Sequence, residues 1–102
     1  MKFGLPEYAL DELKRYFASK PAILEVRIFG SRALGTAEKG SDIDFAIITT
    51  EDHDISSHVK GDLDELKLPY LFDVVDLKFV VSTSLRDHIE RVGKLFYPSP
   101  PP

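Results

Sequence analysis

The sequence predicts an α/β fold with helices packed on a small sheet. Three observations carry that prediction. Apolar residues recur at helical spacing in three segments, they alternate with polar residues in the segments between, and the two kinds take turns along the chain.

Pro6 stands in the first turn of the first helix, whose apolar stripe is Leu10, Leu13 and Phe17 and which stops before Pro21. Leu24, Val26 and Ile28 then alternate with Glu25 and Arg27, the period of a half-buried strand. A short helix is expected near Ser31. Residues 42–48 alternate again, with Ile43, Phe45 and Ile47 on one face. Ile55, Val59, Leu63 and Leu66 suit an amphipathic helix ended by Pro69. Residues 70–77 are rich in β-formers and read as a third strand. Ser84, three residues before Asp87, is the expected N-cap of a helix carrying Leu85, Ile89 and Val92. Gly93 stops that helix, and residues 94–97 read as a short last strand.

No repeat or linker divides the chain, so residues 1–97 are expected to form one domain. Residues 98–102, Pro-Ser-Pro-Pro-Pro, can neither pair in a sheet nor continue a helix, and are expected to be a disordered tail. The 102 residues are 43% hydrophobic, enough for one core with little apolar surface left for a private substrate pocket. The formal charge of −4 opposes the basic face that proteins use to grip nucleic-acid phosphates, so direct nucleic-acid binding is not expected. Disulfides and thiolate metal sites are excluded by the absence of cysteine. No apolar run approaches the roughly 20 residues of a membrane helix, and no signal-like stretch opens the chain. A soluble cytoplasmic protein without a membrane partner is expected.

Two short segments carry the chemistry. The first expected strand ends in Phe29-Gly30-Ser31-Arg32, where glycine permits a sharp turn and the amides and Ser31 hydroxyl can meet an anion. Downstream, Gly40-Ser41 leads into Asp42-Ile43-Asp44. Carboxylates at i and i+2 of a strand share a face, repel each other, and suit a hard cation that also binds phosphate oxygens. His53, His58 and His88 show no ligand spacing and read as solvated surface, and Asp62, Asp64 and Glu65 read as an exposed helix face.

Gly30-Ser31-Arg32-Ala33-Leu34-Gly35 followed by Gly40-Ser41-Asp42-Ile43-Asp44-Phe45 resembles the signature of the DNA polymerase β-type nucleotidyltransferase superfamily. Its minimal nucleotidyltransferase branch, known from HEPN-type toxin–antitoxin pairs, is the most similar. Residues 68–70, 73–77 and 89–94 resemble that branch too. Leu34 departs from the pattern, which often has arginine there.

The resemblance implies a polymerase β-like fold with a small mixed sheet. It places the β- and γ-phosphates of ATP or another nucleoside triphosphate on Gly30 and Ser31, with Arg32 contacting phosphate or pairing with a surface acid. It assigns Asp42, Asp44 and a third carboxylate, Asp73, to two Mg²⁺ ions, with catalysis resting on the same three residues. Asp76 is the rival for the third place; three residues from Asp73 on a strand, it faces the other way.

The implied activity is transfer of a nucleoside monophosphate, AMP first, to a hydroxyl on a partner protein. That partner would be a helical HEPN-type toxin and this chain its antitoxin. One alternative is an antitoxin that acts by binding alone. Another is a transferase for a small alcohol of the aminoglycoside kind. Self-association is left open.

Overall fold

The computed structural model describes residues 2–99; Met1 and residues 100–102, the end of the expected tail, lie outside the described residues. Helices and strands take turns as expected: α1 (Glu7–Ala18), β1 (Ile23–Phe29), α2 (Gly30–Leu34), β2 (Ile43–Thr49), α3 (Ser56–Asp64), β3 (Phe72–Asp76), α4 (Thr83–Val92) and β4 (Lys94–Tyr97). A 3₁₀ turn, Leu77–Phe79, follows β3.

The strands form one mixed sheet in the order β3-β2-β1-β4. β1 is antiparallel to both β2 and β4, whereas β2 and β3 run parallel. A parallel pair needs a crossover connection, and α3 supplies it. The consequence for the site is geometric. The start of β2, the start of β3 and the end of β1 all meet at one corner.

Each face of the sheet has its own core. On one face, Leu10, Leu13 and Phe17 of α1 and Val59 and Leu63 of α3 pack on Val26, Ile28, Ile43, Phe45, Ile47 and Phe96. Phe45 is the hub: its ring lies 5.3 Å from Phe17 and 4.9 Å from Phe96. Truncating so buried an aromatic typically costs about 3–5 kcal/mol. The other face is thinner, with Ile89 of α4 against Phe29 and Ala46.

Four local expectations are corrected. Ile23, not Leu24, enters the core, because a register irregularity between Ile23 and Glu25 shifts the alternation and leaves Leu24 54% exposed. Ser82, not Ser84, caps α4, its hydroxyl accepting from the Leu85 amide at 3.2 Å. Leu66 lies beyond α3 but still packs on the core. Asp62 is not merely an exposed acid: it accepts the Tyr16 hydroxyl at 2.6 Å, fastening α3 to α1, and lies within ion-pair distance of Lys20, just after α1, and of His58 on its own helix. That bond to Tyr16 holds the Asp62 carboxyl below its usual range.

Candidate active site

Sheet register assembles the candidate corner. Phe29, the last residue of β1, is the partner of Asp44, and Asp44 is in turn the partner of Asp73 on β3. Register partners on adjacent strands share a face, so Asp44 and Asp73 stand side by side on the face covered by α4. Asp42 sits exposed in the loop entering β2. Asp76 pairs with Ile47 instead, on the opposite face, and is 1% exposed. Both of its oxygens lack a bonded partner, and burial pushes its carboxyl above the usual range, the backbone amides of Ile55 and Lys78 pulling it only part of the way back.

Gly30 closes the corner from the β1 side. Its φ is +69°, and a Cβ there would collide with the Asp44 carboxylate. Only glycine permits both the left-handed backbone and the close approach. Ser31 follows, half-buried, and its carbonyl accepts from the Thr36 amide at 3.0 Å, folding the loop back after α2.

Arg32 is 4% exposed. Its guanidinium donates to the carbonyls of Ser41 (2.7 and 3.2 Å), Phe3 (3.0 Å) and Gly4 (3.4 Å), and it stacks over the Tyr70 ring at 5.2 Å. It thereby ties the N-terminal segment, α2 and the loop before Asp42 together. A phosphate contact, the role expected from sequence, would compete with these bonds. No acid pairs with it among the described ion pairs, so the surface alternative also lacks a partner.

Burial pushes the Asp44 carboxyl above its usual range, and the charges of Asp73 and Asp42 push it further; His88 and Arg32 pull it back. Asp42 and Asp73 thus place negative charge around Asp44 that His88 and Arg32 offset only in part, the condition that favours a divalent ion. Their donors are all carboxylate oxygens, as Mg²⁺ prefers. The three are not drawn into a tight cage. Among the described residues, three ligand atoms come within 4.8 Å of one another only at Glu51, Asp52 and His53, in the loop after β2.

His88, expected on the solvated surface, is corrected. It is half-buried, with its ring edge-on to Phe29 at 6.0 Å, beside the Asp44 corner. A signal was present: Leu85, His88, Ile89 and Val92 stand at i, i+3, i+4 and i+7, so His88 belongs to the helix's inner stripe. His53 and His58 are exposed, as expected.

The family model for polymerase beta nucleotidyltransferases matches residues 11–100. A chain from a crystal structure of a toxin–antitoxin with AMP-PNP is 28% identical with a TM-score of 0.69, over 93% of this chain and 75% of that one. A structure described as a minimal nucleotidyltransferase is 25% identical with a TM-score of 0.64, over 92% and 95%. A third similar chain comes from a tri-AMPylated Shewanella oneidensis HEPN toxin in complex with its MNT antitoxin. At 21% identity, with a TM-score of 0.68 over 91% and 72% of the two chains, it shows the fold alone. No curated protein matches the chain at a significant level. The family match covers the corner of Gly30, Asp44 and Asp73 and the whole sheet around it, and the chain belongs to the polymerase beta nucleotidyltransferase family.

Proposed function

We propose that this chain moves AMP from ATP to a hydroxyl group on a HEPN-type partner protein, as the antitoxin of a pair. The observation that carries the reading is the pairing of Asp44 with Asp73 across β2 and β3, with the Gly30 turn pressed against Asp44. A similar structure adds support: the 28%-identical chain comes from a toxin–antitoxin with AMP-PNP.

In this reading residues 1–97 are the catalytic domain and residues 98–102 an appended tail. Asp42, Asp44 and Asp73 would hold Mg²⁺, which when bound neutralises charge on the triphosphate. The Gly30 turn and the Ser31 hydroxyl hold the β- and γ-phosphates. Arg32 shapes that turn from behind, through the carbonyls it binds, rather than by touching phosphate. The acceptor oxygen bonds to the α-phosphorus as the α–β bridge breaks, and pyrophosphate leaves with the electron pair. The acceptor's proton passes to a carboxylate, for which Asp73 is exposed and available. Positioning and charge neutralisation do most of the work in such transfers, so few side chains are needed.

A protein acceptor is favoured because Asp42 and Asp73 are exposed rather than enclosed in a pocket. A docked partner would then exclude water over the corner. No helix among the described residues is long and apolar enough to cross a membrane. We place the reaction in the cytoplasm, where ATP and a toxin partner would meet it. Incubation with ATP, Mg²⁺ and a HEPN-type partner, followed by mass spectrometry, should reveal AMP on a hydroxyl side chain of the partner, and Ser31→Ala should lower the yield. A partner that is bound and silenced yet unmodified would replace this reading with binding alone.

A further inference from the structure

α4 lies across the sheet face that carries Asp44 and Asp73, and it is firmly held there. Ile89 is 1% exposed against Phe29 and Ala46. At the helix start, the Arg86 guanidinium donates to the carbonyls of Leu77 (2.7 Å) and Val80 (3.0 Å), and Ser82 caps the Leu85 amide. The residue before Ile89 therefore has a fixed place.

That residue is His88. Its ring meets Phe29 edge-on at 6.0 Å and 80°. Phe29 is both the register partner of Asp44 and the residue preceding Gly30. His88 thus overhangs the corner where the Gly30 turn abuts the Asp44 carboxylate, and its charge acts on Asp44 together with that of Arg32. Arg32 spends its donors on backbone carbonyls. Among the described residues, His88 is the other basic group that acts on Asp44, half-buried and therefore still reachable.

We propose that His88 donates a ring N–H to a phosphate oxygen of the bound nucleoside triphosphate, as a third contact beside Gly30 and Ser31. This rests on the nucleotidyl-transfer reading above. An imidazole could instead ligate a metal, but a hard cation beside three carboxylates takes oxygen donors first. A charged phosphate oxygen is the acceptor such a donor serves best, and hydrogen bonds of this kind carry roughly tenfold or more in affinity.

The test is calorimetric titration of the full chain, in Mg²⁺, with the non-hydrolysable α,β-methylene analogue of ATP and separately with AMP. His88→Ala should weaken the triphosphate analogue about tenfold and leave AMP nearly unchanged, because AMP lacks the β- and γ-phosphates. His88→Gln, which retains an N–H donor, should recover most of the loss. Alanine favours helix, so both variants should melt close to the wild type. Equal binding of the analogue by wild type and His88→Ala would overturn the contact while leaving the transfer reading standing. A loss shared equally by the analogue and AMP, with a lowered melting temperature, would assign His88 to packing and also overturn it. Failure of the wild type to bind the analogue would remove the transfer reading itself, and this contact with it.

Discussion

β2 has an acidic corner at each end, and the two are opposite in character. Before and within its first turn stand Asp42 and Asp44, with Asp73 alongside. After its last residue come Glu51, Asp52 and His53, whose ligand atoms lie closer together than those of the first group. By proximity alone the second corner is the better metal cage. Electrostatics reverse the ranking. The Asp44 carboxyl is pushed up by burial and by neighbouring acids, and His88 and Arg32 offset that only in part. The Asp52 carboxyl is held below its usual range, chiefly by its 3.2 Å bond to His53, so its charge is already answered. Lys78 meets the same loop, its ammonium donating to the carbonyls of Thr49 and Glu51. The first corner is thus the better poised for a cation, because its clustered negative charge is offset only in part, although its acids are less crowded.

The largest break in this contrast should come from removing the charges. Asp42→Asn with Asp44→Asn should lower transfer at least about 10³-fold, on the scale of electrostatic stabilisation in active sites. The same change should abolish any rise in melting temperature on adding Mg²⁺ and ATP, because ligand linkage disappears. Asp52→Asn with His53→Ala should leave transfer and that rise within about twofold of wild type, as surface changes do. Equal losses at the two corners, read by mass spectrometry and thermal melting, would erase the distinction.

The two acids of β3 sharpen it next. Asp73→Asn should remove nearly all transfer, whereas Asp76→Asn, on the buried face, should retain most of it. The reverse outcome in a labelled-ATP assay would move the third carboxylate to Asp76. Gly30→Ala should come third. Its Cβ would drive the Asp44 carboxylate aside and force a left-handed residue to carry a side chain. Misplacement of this order costs about 10²-fold in rate, with roughly 1–3 kcal/mol of stability lost to backbone strain. An active, fully stable alanine variant would show that the turn adapts.

The smallest effect is the pH dependence of the metal-free protein. Asp44 has a raised folded pKa, so its stabilising contribution is complete below the ordinary carboxylate pKa of 3.8 and is lost as pH rises through the raised value. Asp44→Asn should therefore melt higher than wild type near neutral pH, with the gap closing on acidification. Asp52 has the opposite sign: its contribution is present above 3.8 and fades as pH falls through its lowered value. Asp52→Asn should thus melt slightly lower at neutral pH, by a small margin because the group is exposed. Thermal melts from pH 3 to 7 would show opposite slopes for the two variants, and parallel slopes would contradict the comparison.

Periodicity and spacing by themselves determined the order of helices and strands, the faces of α1, β2 and α3, the Gly-Ser turn and the Asp-x-Asp pair. These depend on residues within one or two turns of each other, which is the range over which helix and strand periods act. The separation of Asp73 from Asp76 was legible for the same reason. Which of the two joins Asp44 came from the family resemblance and not from periodicity, because it depends on the register of β3 against β2 across the α3 crossover. Ile23 in place of Leu24 was hidden by a one-residue irregularity that no local pattern announces. Arg32 read as a surface or phosphate group because nothing local shows that carbonyls from residues 3, 4 and 41 converge on its guanidinium. His88 lay in plain view on a helical stripe, yet its place beside Asp44 exists only once α4 has packed over Phe29. Local periods follow from backbone geometry, whereas these partners are chosen by long-range packing, which a charge needs before it can be met or left unmet.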